Sequence, residues 1–330
     1  MSKQRDITLD GLKFLMICLV VIGHVIEPTR YTTLASGMLY SAIYAFHMPM
    51  FVLLSGYFSK QQDLAKINNQ AIKLLETFLV MDLTIGLLLG RQLIPILLKP
   101  SASCWYLLSL IYWRYMLYWM VKVMKIGKMI LMSSSIAIAV AFLLMPIPSD
   151  YSGIFSVMRT AEFFPFFILG YCIDKEFVEK LRERISVSII LCLLSLIMLA
   201  FTCLFTEKSF HNLEYHRDTL YSLNTKYGWA WTDSILYLSA ITIAGLTVSL
   251  ALLSVRRLPK IFCEYGRHTL VFYFVQGIMT FKLAEVLPKN LAIELLLAVG
   301  TIVVGGVISN YCPRITNPVS WFLESVKQSK

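Results

Sequence analysis

About ten stretches of roughly 20 largely apolar residues follow one another along the chain, enough for an α-helix to cross a bilayer each time. They cover residues 8–28, 37–58, 73–90, 104–122, 128–146, 154–173, 185–205, 231–254, 262–281 and 290–310. Charged residues make up only 15% of the chain, whereas soluble proteins carry about 25%. The sequence therefore predicts an all-α integral membrane protein with about ten transmembrane helices in one bundle, and one domain over residues 1–330.

The distribution of Lys and Arg between the loops indicates the orientation of these helices. With the N-terminus in the cytoplasm, the inner segments hold 18 of these residues and the outer loops hold 8. Because cytoplasmic loops carry the excess of positive charge, we predict both termini in the cytoplasm of a multi-pass protein of the cell inner membrane. The net charge of +10 then serves mostly to attract anionic lipid. It does not indicate nucleic-acid binding.

Neither the cysteines nor the longest outer loop predicts a metal site. The seven cysteines lack the paired spacing of a zinc site or a disulfide framework, and we interpret them as small apolar side chains. In the loop 206–230, the spacing of His211, Glu214, His216 and Asp218 does not match a helical His-x-x-x-His motif. We interpret this segment as a solvated loop, with a cap over the acceptor site as the alternative.

The first apolar stretch carries ionisable residues along one face. At 3.6 residues per turn, the eleven-residue separation of Lys13 and His24 brings both side chains to the same side, roughly 16 Å apart along the axis. Asp6 and Asp10 fall on that side as well. A charge in the bilayer centre costs about 2.5–3.5 kcal/mol, so such residues face a bundle interior or a water-filled cavity. The first helix is therefore predicted to line a site.

The second stretch offers another histidine in its outer half. His47 follows a short connection from His24, so the two helices are predicted to be antiparallel neighbours with both imidazoles in one site. Imidazole exchanges a proton near neutral pH. Further along the chain, Arg159 and Glu162 are three residues apart on one helix face, which is compatible with a structural ion pair or with a functional role. Other ionisable residues in or beside the later stretches are Arg114, Glu264, Arg267 and His268.

Several motifs resemble the acyltransferase-3 family of membrane acyltransferases. The family's signature of a basic residue, ten residues and a histidine is matched by Lys13 and His24. The second-helix motif of the fucose 4-O-acetylase-like branch is similar to Phe46-His47-Met48-Pro49-Met50-Phe51 followed by Ser55-Gly56-Tyr57. Later blocks of the branch resemble Trp105-Tyr106-Leu107-Leu108, Trp113-Arg114 and the run from Phe163 to Tyr171. The resemblance extends from residue 5 to about residue 280.

This resemblance implies a ten-helix bundle that moves an acyl group, usually acetyl from acetyl-CoA, to a hydroxyl of a sugar or glycan. It also implies that His24 is the histidine essential for transfer and that Lys13 is the basic member of the signature. Gln276 stands where many members have histidine, the third stretch has Leu74-Leu75-Glu76-Thr77-Phe78 where relatives often have Pro-Tyr, and no Arg-rich motif follows Tyr57. These departures leave the acceptor open.

The sequence and the resemblance together give one hypothesis for the site. His24 and His47 are the predicted catalytic residues, and the mechanism is either proton abstraction by His24 or a transient acyl-histidine. Cations toward the cytoplasm suit the CoA diphosphate. The predicted donor-binding residues are Lys13, Arg114 and Arg267, near the Arg256-Arg257-Lys260 cluster. Residues that bind the acceptor or support the site are predicted at Asp10, Arg159, Glu162 and Gln276.

The predicted partners are the lipid bilayer, an acyl-CoA and a sugar or glycan acceptor of cell-surface, polysaccharide or lipid-linked type. Acetyl-CoA is a substrate here, and no bound cofactor is expected. The alternative function is a transporter that exports a glycan intermediate or a small anion. Transporters often have repeated halves with helices broken near the midplane. The two halves of this sequence share no such pattern, and the polar residues concentrate in the first two helices, which favours the enzyme.

Overall fold

The computed structural model describes residues 6–60, 63–203, 216, 218–286, 288–312 and 315. Within these residues the regular structure is helical, as the sequence predicts. The long helices are α1 (Ile7–Ile26), α2 (Leu34–Tyr57), α3 (Leu64–Leu88), α4 (Trp105–Tyr118), α5 (Lys128–Leu144), α6 (Val157–Cys172), α7 (Ile185–Cys203), α8 (Trp231–Leu253), α9 (Thr269–Val286) and α10 (Leu291–Tyr311). Shorter helical segments are Glu27–Thr29, Leu93–Leu98, Ala102–Cys104, Trp119–Val123, Ser149–Ser152, Ile154–Ser156, Lys175–Glu183, Leu220–Tyr227 and Lys260–Tyr265.

Six helices in the described part of the chain are long and apolar enough to cross a membrane: α1, α2, α6, α7, α8 and α10. The multi-pass membrane class predicted from sequence is therefore confirmed. The helices α3, α4, α5 and α9 lie at the other four predicted stretches, but they are more polar or shorter than this criterion requires. The helix α3 begins at Leu64, nine residues before its predicted start, in a segment expected to be polar.

The helix α1 lies inside the bundle, where it contacts α2, α9, α10 and the short helix Lys260–Tyr265. The carboxylate of Asp6 caps its first turn by accepting hydrogen bonds from the backbone N–H groups of Thr8 and Leu9. Arg182 pairs with the same carboxylate at 2.8 Å. Gly266 lies directly on the backbone of Asp10, where a Cβ atom would collide. These contacts fix the N-terminal end of α1.

The helix α2 makes its closest approach to α6. Gly56 faces the carbonyl of Phe167, and Gly170 faces the carbonyl of Leu53, so either glycine would collide with backbone if it carried a Cβ atom. Small residues allow such close contact between membrane helices. On another side of α2, Gly245 of α8 lies against Pro49. The helix α2 is thereby held between α1, α6 and α8.

The helices α4 and α6 are joined by polar contacts inside the bundle. The Ser109 and Thr160 hydroxyls are 2.7 Å apart, and the Trp113 indole N–H donates to the Thr160 carbonyl at 2.8 Å. Trp113 also stacks on Phe167, with ring centroids 5.5 Å apart. By contrast, only 11% of α7 is buried, so this helix presents most of its surface to the surrounding lipid.

Candidate active site

His24 lies near the end of α1, where its imidazole contacts a carboxylate and a phenol. Its Nδ1 atom is 3.4 Å from Oε2 of Glu27 and 3.4 Å from the hydroxyl of Tyr44. The Tyr44 hydroxyl also donates to Glu27 at 3.4 Å. Because a carboxylate only accepts hydrogen bonds, the arrangement favours a proton on Nδ1. In this tautomer Nε2 is the nitrogen that carries the lone pair.

These contacts are longer than an optimal hydrogen bond, as is common in an enzyme before its substrate binds. The side chains are partly accessible, with 14% of His24 and 27% of Glu27 exposed. Arg30 supports the carboxylate, because its Nη1 atom donates to the Glu27 carbonyl and lies 4.0 Å from Oε1. The guanidinium of Arg30 also lies 4.4 Å from the ring centroid of Tyr31.

Glu27 and Tyr44 were not selected by the sequence analysis. The signal for Glu27 is its position three residues after His24, which places both on one helix face. Tyr44 lies three residues before His47 and shares a face with it. Gly23 contacts Tyr44 and Ile43 and so permits the close approach of α1 and α2. Recognition of the Tyr44 contact would have required the register between these two helices.

His47 is buried in α2, with 3% of its surface exposed. Its Nδ1 atom is 2.7 Å from the Ile43 carbonyl, which can only accept, so Nδ1 carries the proton and Nε2 carries the lone pair. The Tyr44 ring borders both imidazoles, with centroids 4.8 Å from His47 and 6.3 Å from His24. The two predicted catalytic residues therefore share one region.

Lys13 and Asp10 form an ion pair at the inner part of α1. The Lys13 ammonium is 2.7 Å from the fully buried Asp10 carboxylate, and it lies 4.6 Å from the ring centroid of Phe58. Arg267 is exposed in the turn after Gly266, and Gly266 rests on the Asp10 backbone. Lys13, Asp10 and Arg267 thus lie at the same end of α1, away from His24.

Arg114 lines a small cleft, with a cavity volume of about 30 Å³, between α2, α3, α4 and α6. Its other polar residues include Ser59, Lys122 and Tyr171. Among the described residues, Nε of Arg114 is buried without a hydrogen-bond partner. Ser59 directly follows Phe58, the residue under Lys13, so the cleft opens beside the Lys13 end of α1. Two cations in one cleft are suited to phosphate groups.

Glu162 of α6 contacts the loop that precedes Asp218. Its Oε2 atom is 2.9 Å from Nδ1 of His216, while Oε1 is buried without a hydrogen-bond partner in the described part. The guanidinium of Arg159 lies 5.2 Å from the ring centroid of Trp105. The sequence spacing suggested Arg159 as a partner of Glu162, whereas the ion pair that the structure gives Glu162 is with His216.

Two residues of the outer loop, His211 and Glu214, lie outside the described residues. Within the described part of the chain, no group of three or more His, Cys, Asp or Glu side chains is arranged to hold a metal ion. The described residues alone do not test the prediction that the chain has no metal site, and it stays a prediction.

Gln276 of α9 is fully buried and contacts the segment before α4. Its Nε2 atom donates to the Ser103 hydroxyl at 3.0 Å, and the Tyr273 hydroxyl donates to the Ser103 carbonyl. The Ser101 N–H donates to Asp82 at 2.6 Å. Among described atoms, the Gln276 carbonyl oxygen has no partner. Gln276 therefore helps to hold Ser103, in the segment before α4, against α9.

Comparisons with known proteins give one family and two relatives. A family model for an acyltransferase domain, Acyl_transf_3, matches residues 6–310. Nodulation protein NolL of Sinorhizobium fredii is 26% identical over 321 residues, covering 87% of this chain and 81% of the relative. Nodulation protein NolL of Mesorhizobium japonicum is 35% identical over 74 residues, covering 22% of this chain and 20% of the relative. No solved structure matches the chain.

Proposed function

Since the chain belongs to the acyltransferase-3 family and is a membrane O-acyltransferase, we propose that it moves an acetyl group from acetyl-CoA to a hydroxyl of a cell-surface, polysaccharide or lipid-linked sugar. The resemblance predicted from the sequence motifs is thereby confirmed at the level of the family. The donor, the acceptor and the roles of individual residues are our proposal, and the geometry around His24 is the observation that supports it.

In this mechanism His24 is a general base. Its Nε2 atom accepts the proton of the acceptor hydroxyl while the oxygen attacks the thioester carbonyl of acetyl-CoA. The C–S bond then breaks, and the proton passes from His24 to the departing CoA sulfur. Glu27 holds Nδ1–H and stabilises the imidazolium that forms, as a carboxylate does in Ser-His-Asp triads. A carboxylate at this position supports the general base more than the acyl-histidine.

His47 provides the second imidazole of the site. Its Nδ1–H is occupied by the Ile43 carbonyl, so its Nε2 atom accepts a hydrogen bond from the acceptor. The Tyr44 ring contacts both imidazoles and keeps them in a fixed relationship. We therefore assign acceptor orientation to His47 and proton transfer to His24.

The donor is proposed to enter from the other end of α1. Arg114 and Lys122 line one cleft, and Lys13 and Arg267 lie nearby, so this region offers cations for the phosphates of CoA. Roughly 16 Å separates Lys13 from His24 along the helix, a span that the extended arm of CoA crosses. Asp10 balances the charge of Lys13, and Arg159, Glu162 and Gln276 support the acceptor side.

The same proposal includes the topology. We infer ten membrane crossings in a single domain over residues 1–330, with both termini cytoplasmic in the inner membrane. Support comes from the ten long helices at the predicted stretches and from the excess of Lys and Arg in the inner segments. In this orientation the donor cations face the cytoplasm, and His24 faces the opposite side.

The direct test uses purified protein in lipid with acetyl-labelled CoA and a panel of glycans. Label on a sugar hydroxyl together with release of free CoA is the expected result, and His24→Ala should abolish both. A size-exclusion profile like that of the wild type shows that this variant is folded. Full activity of His24→Ala would overturn the assignment of the base. Movement of an unmodified solute without CoA release would favour a transporter.

A further inference from the structure

A long apolar groove lies between α5, α6 and α8, apart from the cleft of Arg114. Its cavity volume is about 740 Å³, toward the upper end of the roughly 300–1000 Å³ of pockets for drug-sized ligands. One wall follows α6 from Glu162 to Cys172 and continues to Asp174, a length of about 18 Å at the helical rise. The lining is mostly aliphatic and aromatic, including Ile136, Leu169 and Leu246. Its shape and chemistry suit a hydrocarbon chain.

One end of the groove is polar. Glu162 and His216 line it there, 2.9 Å apart, and the remaining oxygen of Glu162 is buried without a hydrogen-bond partner among the described residues. A buried carboxylate oxygen without a partner is costly, and a hydroxyl donor from a ligand would satisfy it. This oxygen of Glu162 therefore favours a ligand whose head group donates hydrogen bonds.

The polar end also lies beside the proposed catalytic histidines. Glu162 belongs to α6 and His47 to α2, and these two helices pack against each other with backbone contact at Gly56 and Gly170. A head group held at Glu162 therefore lies next to the acetyl-transfer site, while a chain attached to it extends along α6 toward Asp174.

We propose that this groove binds the hydrocarbon chain of a glycolipid acceptor, with its hydroxylated sugar head at Glu162 and His216. This inference rests on the proposed acetyl transfer to a lipid-linked sugar and narrows the acceptor to that class. The carboxylates at both ends of the groove, Glu162 and Asp174, disfavour the phosphate of an ordinary phospholipid. A neutral sugar head supplies the donors that Glu162 needs.

The test measures binding and needs no acetyl-CoA. The probe is dodecyl glucoside with a photoreactive diazirine and an alkyne on its alkyl chain, added to the full protein in phosphatidylcholine nanodiscs. Cross-linked peptides should come from the lining of α5, α6 and α8. Excess dodecyl glucoside should compete, and methyl glucoside should compete much less because burial of the chain supplies most of the binding.

Substitutions by Trp add a large side chain either inside the groove or outside it. Ala139→Trp and Thr242→Trp each fill it from a different wall, and each should lower labelling about tenfold by excluding part of the chain. Ala141→Trp is the matched control, because Ala141 is an exposed residue of α5 outside the lining. Glu162→Gln should weaken labelling by the glucoside probe through loss of the charged acceptor.

A diazirine-bearing phosphatidylcholine distinguishes a glycolipid site from a surface that any lipid covers. Equal labelling of the groove by this phospholipid, or equal labelling of Ala139→Trp and Ala141→Trp, would overturn the inference. Acetyl transfer to water-soluble sugars without groove labelling would overturn it as well, while leaving the proposed function intact. Groove labelling without any acetyl transfer would contradict the proposed function alone.

Discussion

Glu27 directs its Oε2 atom toward Nδ1 of His24 at 3.4 Å, across one turn at the end of the first membrane helix. The carboxylate is itself approached by the Tyr44 hydroxyl and by Arg30. A histidine with one nitrogen held by a carboxylate has the arrangement of the base in Ser-His-Asp triads. The roles proposed for the surrounding residues follow from this relationship and can be tested separately.

Replacing Glu27 with Gln keeps the size of the side chain and removes its charge. We expect kcat to fall roughly 10- to 100-fold, as for other groups that orient a functional imidazole, with little change in KM for acetyl-CoA. Steady-state kinetics on purified protein gives both values. Glu264→Gln, at an exposed glutamate of the short helix Lys260–Tyr265, is the control. An unchanged kcat in Glu27→Gln would remove the carboxylate from the mechanism.

Tyr44→Phe removes only the hydroxyl that contacts His24 and Glu27. Because a single hydrogen bond contributes about 0.5–1.5 kcal/mol, we expect a loss of activity of roughly 2- to 13-fold. The ring contacts with both histidines should be retained. Tyr151→Phe, at an exposed tyrosine, should have no effect. A loss as large as that of His24→Ala would show that Tyr44 itself takes part in the chemistry.

At His47, substitutions separate orientation of the acceptor from proton transfer. We expect His47→Ala to lose most activity, and His47→Gln to recover part of it, because the Gln amide oxygen can accept a hydrogen bond near the position of Nε2 but cannot take up a proton. The measurement is kcat and acceptor KM for both variants. If His47→Gln were as inactive as His47→Ala while folding normally, His47 would be assigned to proton transfer instead.

Replacing Arg114 with Met should weaken the binding of acetyl-CoA. Loss of a charged hydrogen-bond partner for a CoA phosphate costs about 1.5–3 kcal/mol, so KM for acetyl-CoA should rise roughly tenfold or more with kcat little changed. Arg184→Met, at an exposed position beyond the cleft, provides the control for a general loss of inner-face charge. A change confined to the KM of the acceptor would show that Arg114 binds the acceptor and not acetyl-CoA.

Gly170→Ala tests the contact between α2 and α6. Its Cβ atom would collide with the Leu53 carbonyl, and overpacking of this kind costs about 1–3 kcal/mol, so the Tm of the protein in detergent should fall. Gly300→Ala is the matched control, since no atom lies within 4 Å of the added Cβ. It should leave Tm unchanged or raise it, because Ala is the better helix former. Equal Tm values would show that the helices can separate without loss of stability.

The positions of α1, α2, α6, α7, α8 and α10 could be predicted from the sequence because each is a long apolar segment of the kind that crosses a bilayer. The start of α3 was missed because residues 64–72 carry several polar side chains, although Asp63 gives a local signal: its carboxylate caps the first turn by accepting a hydrogen bond from the Lys66 N–H. The pairing of Glu162 with His216 was missed for a different reason. These residues are 54 positions apart, and local spacing could only suggest Arg159.

The main residues of the candidate site were predictable to different degrees. His24 and Lys13 were found because ionisable groups in an apolar helix are costly and therefore informative. The ion pair of Lys13 with Asp10 follows from their three-residue spacing. The contact of Tyr44 with His24 depends on how α1 and α2 pack at Gly23, which no single helix specifies.

The hydrogen bond from His47 to the Ile43 carbonyl bears on regiochemistry. Nδ1 of His47 is bonded to the helix backbone, just as Nδ1 of His24 is in contact with Glu27. Each ring therefore offers a single nitrogen, and the two nitrogens belong to neighbouring helices whose packing fixes their directions. On the proposed mechanism, the reacting hydroxyl donates its proton to His24, while another hydroxyl of the same sugar donates a hydrogen bond to His47. We expect the enzyme to distinguish adjacent hydroxyls of one sugar by their orientation, so that its product is acylated at one position.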